Sequence, residues 1–127
     1  MNMVQYTMTP QQCLYESVKD RIPYSFEEFE KRIKGWQLYP VYEGEELIGC
    51  AARYSSEVHL GLIKHNKFIR KVLREVLGTV LREHGHAFTL VDSNNEKGIR
   101  FCERLGFEVQ RVIDGVILMK CIRSRYV

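Results

Sequence analysis

The pattern of hydrophobic and polar positions divides the chain into helical and strand-like segments. The helical period is clearest over residues 66–84, where apolar side chains recur at the spacing of one helix face. These side chains are Ile69, Val72, Leu73, Val76, Leu77 and Val80. Gly85 follows as a residue type that ends helices. The pattern predicts a long amphipathic helix whose apolar face packs on a core.

Capping signals predict three further helices. Thr9, with a proline at the next position, is typical of the start of a helix, here over residues 10–21. Ser25 with Glu28 three positions later forms a capping box that begins a second helix. A short amphipathic segment over residues 96–105 is followed by glycine and predicts the last helix.

Runs of β-branched and aromatic residues predict strands between these helices. The strands fall at residues 4–8, 36–42, 47–54, 58–63, 87–91, 107–113 and 116–122. Asp114-Gly115 between the last two is a strong hairpin signal. The order β-α-α-β-β-β-α-β-α-β-β contains one parallel crossover, over residues 58–91, and is otherwise built of hairpins. We therefore predict an α/β fold with a mixed sheet of six or seven strands and helices on both faces.

The length and composition are those of a single globular domain over residues 1–127. The chain has 45% hydrophobic and 28% charged residues, which excludes a disordered or low-complexity protein. No apolar run in the chain is long enough to cross a membrane, and its first residues do not have the pattern of a secretory signal. We therefore expect a cytoplasmic protein. The four cysteines are far apart and form no Cys-x-x-Cys pair, and two histidines flank Gly85 without a third ligand nearby. No metal site is therefore expected.

The charge is distributed unevenly along the chain. Residues 1–60 carry six Lys/Arg and nine Asp/Glu, whereas residues 61–127 carry thirteen and seven. Four basic residues lie at the start of the long helix: Lys67, Arg70, Lys71 and Arg74. They form either a solvated helix face or an anion site, where the helix dipole adds to the side-chain charges. The net charge of +3 is too small to indicate nucleic-acid binding by itself.

The segment over residues 95–107 resembles a motif of the GNAT superfamily of acyl-CoA N-acyltransferases. The residues that match the motif in register are Asn95, Phe101, Leu105, Gly106 and Phe107. The order of elements along the whole chain is also similar to that of the family. The resemblance implies a GNAT-like sheet and an acetyl-CoA-dependent transfer of an acyl group to an amine, either a small molecule or a protein amine.

The resemblance also implies where the cofactor lies. In the family, two central parallel strands separate at one end, and the gap holds the pantetheine arm of acetyl-CoA or coenzyme A against an open strand edge. Leu60 and Leu62 lie on the corresponding strand of this chain. Asn95 lies at the mouth of the gap, where its amide can bond the arm. Gly98 stands at the family's alanine position and belongs to the same expected cofactor site.

The loop before the long helix departs from the family pattern. In the family, three glycines bring backbone N–H groups onto the pyrophosphate, but their places are taken here by Asn66, Phe68 and Arg70. Phenylalanine and arginine do not readily adopt a left-handed backbone. The side chains of Lys67, Arg70 and Lys71 are the candidates to hold the phosphates instead.

Three residues are candidates for the chemistry. Glu57 and His59 lie where the family often has its general base, and imidazole exchanges protons near neutral pH. His59 is also compatible with a surface or edge position without a catalytic role. Cys102 occupies the place of the tyrosine that serves many family members as general acid, but the favoured interpretation is a half-buried cysteine on a core-facing helix. Aromatic residues such as Trp36 and Tyr15 are candidates to line an acceptor groove or to pack the core.

Two other functions remain open. The glycine-free loop and Cys102 fall on the positions that the chemistry needs most, which is compatible with a non-catalytic GNAT-fold protein acting through protein contacts, with a homodimer possible. The chain is also similar to short GNAT-like proteins of tailed phages, including an internal virion protein, which implies a virion location if the chain is phage-encoded. A third alternative is phosphate or nucleic-acid binding through the basic start of the long helix, which predicts steep salt dependence.

Overall fold

The computed structural model describes residues 8–65 and 67–127. The helices are α1 (Pro10–Val18), α2 (Phe26–Arg32), α3 (Ile69–His84) and α4 (Glu96–Leu105), and a 3₁₀ turn (Lys19–Arg21) extends α1. The strands are β1 (Gln37–Glu43), β2 (Glu46–Tyr54), β3 (Glu57–Leu62), β4 (Ala87–Asp92), β5 (Glu108–Ile113) and β6 (Val116–Cys121). In the described residues they form one mixed sheet in the order β1-β2-β3-β4-β6-β5.

This architecture confirms the predicted fold class and the order of elements from the first helix onward. The strand predicted over residues 4–8 lies outside the described residues except for Met8, which is not in a strand. The capping box at Thr9 is present, with both of its hydrogen bonds to Gln12. Asp114 and Gly115 both have positive φ, 49° and 77°, as the tight turn between β5 and β6 requires.

The sequence pattern placed two helix boundaries wrongly. The long helix begins at Ile69, three residues later than predicted. The first helix does not continue as an α-helix to Arg21, because Val18 has φ −123° and the chain tightens into the 3₁₀ turn. Apolar periodicity finds a helix but does not find its end, where backbone hydrogen bonding decides.

Helices cover the two faces of the sheet, as predicted. On one face, α3 and α4 pack on the larger core, which includes Ile48, Val76 and Met119. On the other face, α1 and α2 cover β1 to β3 over a smaller core that includes Cys13 and Cys50. The part of this second face formed by β4, β6 and β5 exposes Leu90, which is 44% accessible.

The two central parallel strands pair at one end only. Glu57 of β3 pairs with Phe88 of β4, and the Phe88 N–H donates to the carbonyl oxygen of Ser56 at 2.9 Å. Within the described residues the ladder holds no further pair toward Leu62 or Asp92, although β3 stays fully paired with β2. The strands therefore separate into a gap, here called the wedge, which is closed at Glu57 and Phe88 and open at the carboxyl ends of both strands.

Candidate functional site

A groove with a volume of about 550 Å³ runs between the start of α3 and the second half of α4. Its polar and aromatic lining, here called the basic groove, consists of His65, Lys67, Arg70, Phe101, Arg104 and Tyr126. Ile69, Leu73 and Leu105 supply an aliphatic floor. Three permanent cations and two rings with no carboxylate among them suit an anionic ligand that also has a flat, apolar part.

The predicted basic group at the start of α3 divides between two places. Lys67 and Arg70 line the basic groove, whereas Lys71 is exposed and does not line it. Arg74 is turned to the carboxyl-terminal segment, where its Nε donates to the carbonyl oxygen of Tyr126 at 2.9 Å. Arg74 therefore holds Tyr126 at the groove and is not itself a groove residue.

The loop before α3 does not use the backbone conformation for which the family's glycines are needed. Phe68 has φ −69° and ψ −15°, a right-handed conformation that any residue adopts, and Arg70 is already helical. The Phe68 side chain is 44% exposed, and its ring centroid lies 5.7 Å from the Lys67 Nζ. Asn66 lies outside the described residues.

Leu60 and Leu62 lie on β3 at the wedge. Both side chains are half-buried and pack against the larger core on the α3 face. Their strand is hydrogen-bonded to β2 on one side only, so the backbone groups that face β4 beyond Glu57 have no strand partner. This part of β3 therefore presents its backbone edge to a ligand. The packing of the two leucines on the core holds that edge in place.

Asn95 and Gly98 lie next to each other at the start of α4. The Oδ1 of Asn95 accepts a hydrogen bond from the Gly98 N–H at 3.0 Å and so caps the helix. A Cβ at position 98 would lie 2.4 Å from the Asn95 Nδ2, so only glycine admits this side-chain position. The Oδ1 of Asn95 is therefore used within the protein, and its Nδ2 is the atom left to serve the predicted cofactor contact.

Glu57 and His59 form a pair on the face of β3 that carries α1. The Glu57 Oε2 lies 2.5 Å from the His59 Nε2, and the two side chains are 23% and 34% exposed, respectively. The Trp36 ring packs at a centroid distance of 5.5 Å from the His59 ring. His59 thus lies on the opposite face from Val58, Leu60 and Leu62, as predicted, and has a carboxylate partner that fixes its ring.

Trp36 separates this pair from a second groove of about 650 Å³. The groove lies between the start of α1 and the end of α2, and Leu38 lines it together with Trp36. Tyr15, the other aromatic residue considered for an acceptor groove, packs against the smaller core. Its ring centroid lies 5.6 Å from that of Phe26. Of these two aromatic residues, Trp36 is therefore the one placed beside the Glu57–His59 pair.

Cys102 is half-buried on α4 and packs against the larger core. Burial raises the pKa of its thiol to about 11, and the neighbouring Glu103 carboxylate acts in the same direction. A thiol with this pKa stays protonated at neutral pH, but it is a weak proton donor, since a general acid works best with a pKa near the working pH. The geometry favours the interpretation of Cys102 as a packing residue.

Sequence patterns missed several residues of the basic groove. Phe101 and Arg104 both belong to the motif segment, but only Phe101 matches the motif. His65 and Tyr126 carry no local signal, because Tyr126 reaches the groove only through the fold of the carboxyl-terminal segment. No cluster of three or more His, Cys, Asp or Glu suited to a metal occurs among residues 8–65 and 67–127. Over the same ranges, every helix is too short or too polar to cross a bilayer.

Comparisons with known proteins agree at the level of structure. No protein-family model matches the chain, and no curated protein sequence matches it. A GNAT family acetyltransferase from Elizabethkingia anophelis, solved with acetyl-CoA bound, matches with a TM-score of 0.69 and 14% identity over 94% of each chain. The ribosomal-protein-S18-alanine N-acetyltransferase from Escherichia coli matches with a TM-score of 0.66 and 15% identity, over 87% of this chain and 86% of that chain. The PaiA N-acetyltransferase from Thermoplasma acidophilum, in complex with coenzyme A, matches with a TM-score of 0.59 and 16% identity, over 88% of this chain and 87% of that chain.

Proposed function

The chain has the fold of the GNAT acetyltransferases, and we propose that it is an acyl-CoA-dependent N-acyltransferase with an amine as acceptor. The observation that carries the proposal is the wedge between β3 and β4. It opens toward the start of α3, beside the basic groove, and it closes at Glu57, beside His59. One ligand lying along the wedge therefore reaches from a phosphate-binding surface to a carboxylate–imidazole pair.

The basic groove fits the nucleotide end of coenzyme A. Its phosphates carry several negative charges, and Lys67, Arg70 and Arg104 supply permanent positive charge without a competing carboxylate in the lining. The rings of Phe101 and Tyr126 provide a surface for the adenine base. In this proposal side-chain cations take over the work that the glycine loop does in the family.

The pantetheine arm fits the open edge of β3. Its two amides pair with the unpartnered backbone groups between Glu57 and Leu62, as an added strand does. A β-strand rises about 3.3 Å per residue, so this edge provides roughly 15 Å of length for the arm. The thioester then lies toward the closed end of the wedge, where the Glu57–His59 pair is within reach.

The reaction follows from this arrangement as a direct transfer. The acceptor ammonium gives a proton to the Glu57–His59 pair, and the neutral amine nitrogen attacks the thioester carbonyl carbon. The C–N bond forms and the C–S bond breaks, while the nitrogen loses its second proton and the departing thiolate takes that proton. Most of the acceleration comes from the alignment of the two substrates and from backbone donors at the carbonyl oxygen, because no covalent enzyme intermediate is needed.

A thermal shift experiment with acetyl-CoA, coenzyme A and a nucleotide control tests the cofactor part of the proposal. Ligand at a hundred times its Kd adds about 2.7 kcal/mol of stability, which for this chain length raises the Tm by roughly 8 °C or more. We expect Arg70→Ala and Arg104→Ala to reduce the shift. Arg100→Ala is the matched control, since Arg100 pairs with Glu96 on α4 and does not line the groove. No shift with millimolar acetyl-CoA contradicts the proposal.

A non-catalytic GNAT-fold protein is the second candidate function, and two observations favour it. The Asn95 Oδ1 caps α4, and the loop at Phe68 lacks the family's glycines. This candidate predicts no acetyl-CoA binding and a stoichiometric complex with another protein, whereas turnover of an amine acceptor excludes it.

A further inference from the structure

Aromatic residues flank Glu57 in the sheet, on the face that carries α1. The strand register places Tyr54 of β2 on one side of Glu57 and Phe88 of β4 on the other. The Trp36 ring centroid lies 5.7 Å from that of Tyr54 and 5.5 Å from that of His59. We call this arrangement of Trp36, Tyr54, Glu57, His59 and Phe88 the ring patch.

The ring patch is partly exposed to solvent. Tyr54 is 55% exposed, and the Glu57 side chain is 23% exposed although a histidine lies against it. His59 contacts only the Oε2 of Glu57. The Oε1 makes no hydrogen bond within residues 8–65 and 67–127, so it remains available as a hydrogen-bond acceptor.

Among residues 8–65 and 67–127, His59 is the only group that forms an ion pair with Glu57. Lys120 follows Phe88 in the same cross-strand row, and the register places Glu108 directly beside it. Arg53 pairs with Glu83 of α3 and so belongs to the opposite face of the sheet. The patch thus combines ring faces with one accessible carboxylate oxygen, which is the chemistry that recognises an organic cation.

We propose that the ring patch binds a primary alkylammonium group and so selects alkylamines as acceptors. The assignment of this cation as acceptor rests on the proposed acyl transfer. The ammonium donates to the Glu57 Oε1 in a charge-assisted hydrogen bond and lies against the faces of Trp36 and Tyr54. Its alkyl chain follows Trp36 toward the second groove, which the same ring lines. A neutral alcohol of the same shape gains neither the hydrogen bond to a charge nor the cation–π attraction.

Trp36 is the only tryptophan in the chain, so its fluorescence reports directly on the ring patch. The experiment titrates the protein with n-butylammonium chloride and, separately, with butan-1-ol, both at ionic strength matched with NaCl. We expect a saturable change with butylammonium and none with the alcohol. We expect Glu57→Gln and Tyr54→Ala each to weaken the binding by roughly two- to fivefold, the size of an exposed cation–π or charge contact. Tyr54→Phe keeps the ring and keeps the affinity, and Glu45→Gln, an exposed carboxylate in the turn after β1, is the control for lost charge.

Two results overturn the proposal: an equal response to butan-1-ol, or unchanged affinity in a folded Glu57→Gln variant. The test needs no coenzyme A, so its outcome is separate from that of the acetyl-CoA thermal shift on the same preparation. If the protein binds butylammonium but not acetyl-CoA, the proposed cation site is supported and the proposed acyltransferase function is contradicted. If the protein binds acetyl-CoA but not butylammonium, the acyltransferase proposal is supported and the proposal of alkylamines as acceptors is contradicted.

Discussion

The Asn95 side chain occupies the space that a Cβ at Gly98 would fill. The Asn95 Nδ2 lies 2.4 Å from that position, and the Asn95 Oδ1 accepts the Gly98 N–H at 3.0 Å. The family's alanine at this position is therefore incompatible with the way in which Asn95 caps α4. The glycine is tied to a specific side-chain conformation of the residue that we expect to meet the cofactor.

The two functions of the Asn95 amide, capping and cofactor binding, are separable by mutation. Asn95→Ala removes the cap and lowers the free energy of unfolding by about 1 kcal/mol. Asn95→Asp keeps a capping oxygen, so we expect nearly unchanged stability together with weaker acetyl-CoA binding, since the Nδ2 donor is gone. Chemical denaturation and a binding titration on the same samples measure both effects. Equal acetyl-CoA affinity in wild type and Asn95→Asp shows that Asn95 only caps the helix.

Gly98→Ala tests the same relationship from the other side. The new methyl group displaces the Asn95 side chain, which costs about 1 kcal/mol for the lost cap, while alanine gains about 1 kcal/mol over glycine inside a helix. We therefore expect a net change in unfolding free energy close to zero. In the double variant with Asn95→Ala there is no cap left to lose, so the alanine then stabilises the protein. A double-mutant cycle with additive effects contradicts the steric coupling.

The sequence predicted the order of elements well because that order depends on local signals. The capping box at Thr9, the turn at Asp114 and the apolar stripe of α3 each act over a few residues. The basic groove was predicted only in part, because it is made by contacts between distant segments. Arg74 belongs to the predicted basic group, but its hydrogen bond to the Tyr126 carbonyl oxygen joins residues that are 52 positions apart. No pattern in the sequence indicates that such a contact forms.

Loss of the Glu57–His59 pair is expected to slow turnover far more than it weakens substrate binding. Glu57→Gln and His59→Gln each remove a proton acceptor, and general-base catalysis contributes about 10²- to 10⁴-fold to a rate. We expect kcat for acetyl transfer to an alkylamine to fall in this range while the KM for acetyl-CoA changes little. Steady-state kinetics with Glu45→Gln as control checks this. If both variants have the kcat of the wild type, the Glu57–His59 pair does not act as the general base.

Cys102 is expected to be dispensable for chemistry. Its thiol has a pKa of about 11, raised by burial, and packs on the larger core. Cys102→Ala removes the proton donor, so an unchanged kcat within about threefold indicates that the departing thiolate takes its proton from elsewhere, whereas a general acid is worth about 10²-fold or more. Because the substitution also removes a packed side chain, the unfolding free energy of the variant is measured alongside. A large loss of kcat in a stably folded variant establishes Cys102 as the acid.

Alkaline pH is expected to destabilise the protein through two thiols of the smaller core. Burial raises the pKa of Cys13 from 9.0 to about 11 and that of Cys50 from 9.0 to about 12, and neither side chain is accessible to solvent. Above pH 9 the unfolded chain releases these protons while the folded chain keeps them, so stability is fully present below pH 9 and falls as the pH rises toward 11.

The size of this effect is checked by comparison with thiol-free variants. Each thiol contributes a slope of up to about 1.4 kcal/mol per pH unit in that window. Cys13→Ala and Cys50→Ala are less stable at pH 7, because each leaves a small cavity, but their unfolding free energies fall less steeply between pH 9 and 10.5. Urea denaturation at a series of pH values gives the slopes, and lysines and tyrosines that titrate in the same range cancel in the difference. Parallel pH profiles of wild type and both variants contradict burial of the protonated thiols.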